Sequence, residues 1–146
     1  MTDPRPTEVV VRRVLDATPD VVFDEWVDVD ALREWMCPRP ARTTAIALDA
    51  TVGGSFRFEV TDRGTDLIIS GRYLELDRPR RLRFTWSCTA WADPDVESVV
   101  TVTLDGHGDR QTLMTITHVL LPPDQVADHE GGWGTIAVQL SDRLSR

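Results

Sequence analysis

The 146-residue chain has no lysine; all sixteen of its basic residues are arginine. That absence excludes Schiff-base chemistry, a pyridoxal-phosphate aldimine and the lysine of a phosphate-binding loop, since each needs the ammonium group. Cysteine is nearly as scarce. Cys37 and Cys88 stand far apart and form no CxxC pair, so they read as free thiols and not as a zinc or redox site. No apolar run approaches the roughly eighteen residues of a membrane span, and no charged start followed by an apolar stretch marks a leader, so a cytoplasmic protein is expected. Positive charge is in deficit: 16 basic against 24 acidic residues give a formal net charge of -8. Such a balance repels a phosphate backbone and argues against nucleic acid. The one arginine-dense stretch, "RPRRLRF", alternates Arg81 and Arg83 with Leu82 and Phe84, which is a strand with one wet face.

Recognisable catalytic motifs are missing as well. There is no G-x-S-x-G elbow, no G-x-G-x-x-G after a strand and no Ser/His/Asp arrangement, so hydrolase, dehydrogenase and kinase readings lapse. Three histidines fit no metal-site spacing, and neither a metal nor a cofactor is expected. His107 in a hairpin turn and His129 at a helix start read as solvated. His118 shares a strand face with Met114 and Ile116, where a neutral, hydrogen-bonded core histidine is the ordinary case. Glu59 and Glu75 are placed to be neighbours on adjacent strands, but nothing in the sequence makes an acid and base of them.

What the chain does have is an ordinary globular make-up, 41% hydrophobic and 27% charged, at a length that fits one domain over residues 1–146. Disorder is expected only in the opening "MTDPRPT", Met1 to Thr7. "EVVVRRVLDA" is a β-branched run and reads as a first strand. "TPDVVFDEW" then offers Thr18 as a cap and Pro19 at the first helical position. "DVDALREWMCP" repeats the pattern, with Asp28 or Asp30 as cap and Pro38 as stop. From Thr43 to Leu121 the period is two. "GGSFRFEV", "DLIISGRYLELD", "RRLRFTWSC", "ESVVTVTL" and "QTLMTITHVLL" give about six strands in a meander, with turns at "RGT" and "DGHGD" and a bulge or close approach at Gly71.

The chain turns at "LPPD", where Asp124 is placed to cap, and ends in helix. Beyond the glycines of "GGWGTIAVQLSDRL", residues Trp133, Ile136 or Ala137, Leu140 and Leu144 form one apolar stripe, while Gln139, Asp142 and Arg143 face away. One face of the sheet is the only large surface left to bury that stripe. Gly131, Gly132 and Gly134 around Trp133 suggest a close approach of backbone to sheet, or a locally soft lid; Gly131 and Gly134 put the first helical turns in question.

Strand, two short helices, six strands and a long terminal helix resemble, in that order, the helix-grip fold of the START-like, birch-allergen-like superfamily, an α+β fold with a curved antiparallel sheet of six or seven strands. The motifs narrow the resemblance. "RVLDATPDVVFDEWVDVDALREWMCP" is similar to the opening of the family named for the activator of the heat-shock chaperone ATPase. It is followed in order by Gly53-Gly54-x-Phe56, Gly71-x-Tyr73-x-Glu75, Pro79-x-x-Leu82-x-Phe84-Thr85-Trp86, Thr112-x-Met114-x-Ile116-x-His118 and Gly132-Trp133. The likeness spans Val9 to Leu144. Two departures are Pro19, displaced by one residue, and "CP" after Met36 where relatives carry Gly-Pro.

The resemblance implies a ligand cavity between sheet and terminal helix, and the aromatic load, five tryptophans and four phenylalanines, suits its walls. The expected wall residues are Trp35, Phe58, Tyr73, Trp86, His118, Trp133, Ile136 and Leu140. Trp26, Phe23, Phe56 and Leu82 read as core. Three functions follow from the resemblance: non-catalytic binding of a small, largely apolar molecule; a stress-related co-chaperone with a chaperone partner; or an enzyme of the polyketide cyclase or dehydratase kind, which needs His118, Tyr73 or Arg57 pointing inward. A single domain of this length lacks the separate module by which eukaryotic activators bind their chaperone, which ranks binding first. A shared sheet edge or exposed aromatic offers a route to a homodimer.

Overall fold

The computed structural model of the chain describes residues 8–146, so the disorder expected for Met1 to Thr7 lies outside the described residues. Seven antiparallel strands form one curved sheet in the order β1-β7-β6-β5-β4-β3-β2. The strands are β1 (Val9–Leu15), β2 (Arg42–Leu48), β3 (Ser55–Asp62), β4 (Thr65–Asp77), β5 (Arg81–Cys88), β6 (Ser98–His107) and β7 (Gln111–Val119). Helices α1 (Pro19–Val27) and α2 (Val29–Trp35) connect the two edge strands β1 and β2, and α3 (Val126–Leu144) closes the chain. This is the α+β helix-grip arrangement.

Alternation along the strands decides which face is covered. Leu82, Phe84, Trp86 and Cys88 of β5, Ser98, Val100, Val102 and Leu104 of β6, and Met114, Ile116 and His118 of β7 are all buried on one face. Arg63 and Gly64 take φ of 53° and 84° at the β3–β4 reversal, the left-handed pair that a two-residue hairpin loop requires. Gly71 marks a close approach: a Cβ there would run into the Thr85 carbonyl and sit 2.7 Å from the Phe56 ring, and the register slips just beyond, between Tyr73 and Glu75.

Asp28 caps α2, its Oδ1 accepting the N–H groups of Asp30 at 2.8 Å and Ala31 at 3.1 Å. Thr18 has the extended backbone of a cap before Pro19, but its hydroxyl makes no capping bond. Asp124 does not cap α3; it lies within a 3-10 turn, Pro123–Gln125, that runs directly into the helix. The glycine-rich stretch is also unlike its expectation. Helix α3 starts at Val126 and passes without a break through Gly131, Gly132 and Gly134, none of which has a positive φ. A Cβ on Gly131 or Gly134 would meet nothing within 4 Å, and on Gly132 only Pro38 at 3.8 Å, so these glycines serve no close approach. Among the described residues no helix is long and apolar enough to cross a membrane.

Candidate functional site

The middle of α3 is fastened to the sheet by a chain of hydrogen bonds. Trp133 Nε1 donates to His118 Nδ1 at 2.9 Å. An indole N–H is only a donor, so Nδ1 is the lone-pair nitrogen and the proton of the neutral ring sits on Nε2. Nε2 therefore donates to Ser98 Oγ at 2.7 Å, and the Ser98 hydroxyl donates to the Trp86 carbonyl at 2.7 Å. Burial pushes the His118 imidazole down to about 3, and His129 beside it adds to the shift. His118 is thus neutral with both nitrogens engaged, and it has no free position for acid–base work.

Around this chain the interior is solid. Trp133 packs on Trp86 at 5.1 Å and Trp26 at 6.2 Å between ring centroids; Trp26 meets Trp35 edge-on at 4.9 Å, and Phe56 meets Phe58 at 5.0 Å. A gap of about 10 Å³ remains among Trp26, Phe56, Phe58, Tyr73, Phe84 and Trp86, about the space of one water. Burial pushes the Tyr73 phenol there up to about 12. The buried indole N–H groups of Trp26, Trp35 and Trp86 have no partner among the described residues.

A second apolar space lies to one side, a cavity of about 190 Å³. Its floor is Val60, Leu67, Ile69, Trp86 and Cys88 of β3 to β5, and its roof is His129, Gly132, Trp133 and Ile136 of α3. The loop Met36 to Ala41 and the Trp91 loop close its flanks. Gln139 fixes the first of these loops: its Nε2 donates to the carbonyls of Trp35 at 3.0 Å and Cys37 at 2.9 Å, and its Oε1 accepts the Arg39 N–H at 2.9 Å. Gln139 was expected to face away; it is buried, because three backbone groups of the α2–β2 loop have no partner unless α3 supplies one.

Of the eight expected wall residues, Trp86, Trp133 and Ile136 border this cavity. Phe58 and Tyr73 border the small gap instead. His118 and Leu140 are fully buried in packing away from both spaces, and Trp35 backs onto a separate polar groove with Arg33, Arg39 and Arg42. Glu59 and Glu75 are not neighbours: Glu59 is opposite Ile68, and Glu75 pairs with Arg83 on the other side of β4. Arg57 is exposed on the outer face, 3.8 Å from Glu59.

His129 is the main revision. It is not solvated: only 13% of its side chain is exposed, its Nδ1 hydrogen-bonds the Gln125 carbonyl at 2.9 Å, and its ring packs edge-on against Trp91 at 5.7 Å and His118 at 5.3 Å. Burial lowers its pKa, against the hydrogen bond to Gln125 and the Asp128 carboxylate. The helix begins three residues before His129, and its packing places the imidazole against Trp91 and His118. Trp91 borders the cavity too: an indole just ahead of the polar run "ADPD" has to bury itself against something. Cys37 and Cys88 border the same cavity with no disulfide, and burial raises both thiols. Among the described residues no group of three metal-ligating side chains is gathered.

A curved sheet gripped by its terminal helix, with a cavity beside the grip, defines a START-like protein. The chain belongs to the family described as activator of Hsp90 ATPase homolog 1-like protein, whose model matches residues 16–145. Solved structures share the fold. Protein CV1439 of Chromobacterium violaceum is 26% identical with a TM-score of 0.80, covering 97% of this chain and 99% of its own. Protein NE0264 of Nitrosomonas europaea is 24% identical with a TM-score of 0.81, over 98% and 97% of the two chains. CalU16 of Micromonospora echinospora is 23% identical with a TM-score of 0.70, over 94% of this chain and 76% of that one. No curated protein matches the chain.

Proposed function

We propose that the chain is a non-catalytic binding protein whose ligand is a small, largely apolar molecule held between the sheet and the first half of α3. The cavity of about 190 Å³, walled mainly by Trp86, Trp91, Trp133, Leu67, Ile69 and Ile136, carries this reading. An apolar cavity of roughly 150 Å³ is large enough for benzene, so the volume suits a ligand of about one ring. Removing 150–200 Å² of such a ring from water stabilises the complex by about 4–5 kcal/mol before the costs of association, which predicts modest affinity.

The test is a panel of one-ring compounds added to the purified chain, read by melting temperature and by the fluorescence of the tryptophans in the cavity wall. Ile69→Trp, which fills the floor, abolishes the response while leaving the far-ultraviolet circular dichroism intact. A panel that moves neither signal ends the proposal.

A cyclase of this architecture would have to draw on His129, because His118, Tyr73 and Arg57 do not meet at the cavity. The co-chaperone reading rests on the family description alone; the ligand-binding reading expects no stimulation when the protein is added to a chaperone ATPase assay.

A further inference from the structure

The polar atoms around the cavity restrict what it takes. Among the described residues no arginine borders it, while Asp62 and Asp128 do, so an anionic ligand meets like charge. Asp128 is 84% exposed and stays in solvent. Trp133 Nε1 and both nitrogens of His118 are engaged with each other and with Ser98. Each cysteine sulfur already receives a hydrogen bond, from Thr43 at 3.3 Å and from Ala90 at 3.5 Å.

His129 supplies an acceptor at the wall. The carbonyl of Gln125 is only an acceptor, so His129 Nδ1 carries the proton of the neutral ring and Nε2 is a lone pair with no partner among the described residues. The groups packed on that ring are Trp91, the neutral His118 at 5.3 Å and the Asp128 carboxylate at 4.0 Å from Nδ1; burial outweighs the carboxylate and keeps the imidazole neutral near pH 7. Trp86 Nε1 has no acceptor among the described residues but is fully buried and does not face the open space. The wall thus offers a ligand one neutral acceptor on the imidazole, which a hydroxyl satisfies by donating. Indoles of Trp86, Trp91 and Trp133 around the same space favour a ring over an alkyl chain.

We infer that the ligand is a neutral aromatic alcohol of phenol type, its ring among the three indoles and its hydroxyl donating to His129 Nε2. The inference rests on the ligand-binding reading above and specifies it. The experiment is titration of the full chain with 4-methylphenol and with its near-isostere p-xylene, alongside benzoate and benzylamine. The expected result is about tenfold tighter binding of 4-methylphenol than of p-xylene, the effect of one neutral hydrogen bond, with neither charged compound competing. His129→Phe brings the ratio close to one and leaves p-xylene affinity within about twofold. Should that variant not fold, the ¹⁵N shift of His129 Nε2 in the unaltered protein gives the same answer, moving with 4-methylphenol and not with p-xylene. Equal affinity for phenol and xylene, or tighter binding of benzoate or benzylamine, overturns the phenol inference and leaves the cavity reading standing. Failure of every compound to bind brings down both.

Discussion

Under α3 the molecule has two unlike halves. Toward β1 and β7 the helix is bolted down: Trp133 bonds to His118, Ala137 and Leu140 are buried, and the last turn is tied to α1 by Arg143 Nε donating to Glu25 at 2.6 Å. Toward β3 and β4 the same helix stands off the sheet, and the gap is closed by loops and by half-buried Leu67 and Ile69. One half has Trp133, His118 and Ser98 in a closed hydrogen-bond chain and its aromatic rings in contact. The other keeps space and a half-engaged histidine. The contrast teaches that a helix-grip interior is neither uniformly hollow nor uniformly solid; the cavity begins where aliphatic Val60, Leu67 and Ile69 replace rings on the sheet.

Perturbations of the two halves should separate by size. Trp133→Ala removes the ring that fills the boundary and leaves His118 Nδ1 unpaired, so a loss of about 3–5 kcal/mol is expected in denaturant unfolding. A loss under 1 kcal/mol would show that the packed half is not packed. Lowering the pH probes the same half. Unfolded His118 titrates near 6.5 but the folded group near 3, so the unfolded state binds the proton first and acid destabilises the fold. The contribution is whole above about pH 6.5 and falls by about 1.4 kcal/mol per unit below it, with His129 acting in the same direction. His118→Gln should flatten that slope in urea melts between pH 4 and 7.

Gln139→Ala leaves two carbonyls and one N–H of the α2–β2 loop without partners, at a cost of about 2–3 kcal/mol. Because that loop is a cavity flank, ligand affinity should fall more than for an equally destabilising change at Val102. The smallest effect has the opposite sign. Gly131→Ala and Gly134→Ala each place a methyl in open space on a continuous helix, and each should raise stability by about 1 kcal/mol. If either lowers it, the first half of α3 is under a constraint that its backbone does not display.

Much of the frame was legible along the chain. The alternation in "RRLRFTWSC" and "QTLMTITHVLL" specified the covered face, Asp28 or Asp30 marked a helix start, and Gly71 marked a bulge or close contact, because each signal depends on near neighbours in sequence. The site was less legible. Three of the eight residues expected around a cavity border it, while His129 reads as solvated, Gln139 as facing away, and Trp91 is unmarked. Gln139 has a polar residue's usual place beside an apolar stripe until a loop one hundred positions earlier brings three unpaired backbone groups against it. His129, placed at a helix start, reads as solvated until α3 is seen to carry the imidazole against Trp91.

The sequence by itself determined the strand period, the helix stripes, the aromatic supply and the absence of lysine chemistry, since these are properties of composition and short-range spacing. Tertiary structure alone decided which aromatic rings fill space and which bound it, which histidine is closed off and which keeps a lone pair. Those are matters of volume and of partners distant along the chain. A side chain's residual hydrogen-bonding capacity exists only after every neighbour has been placed.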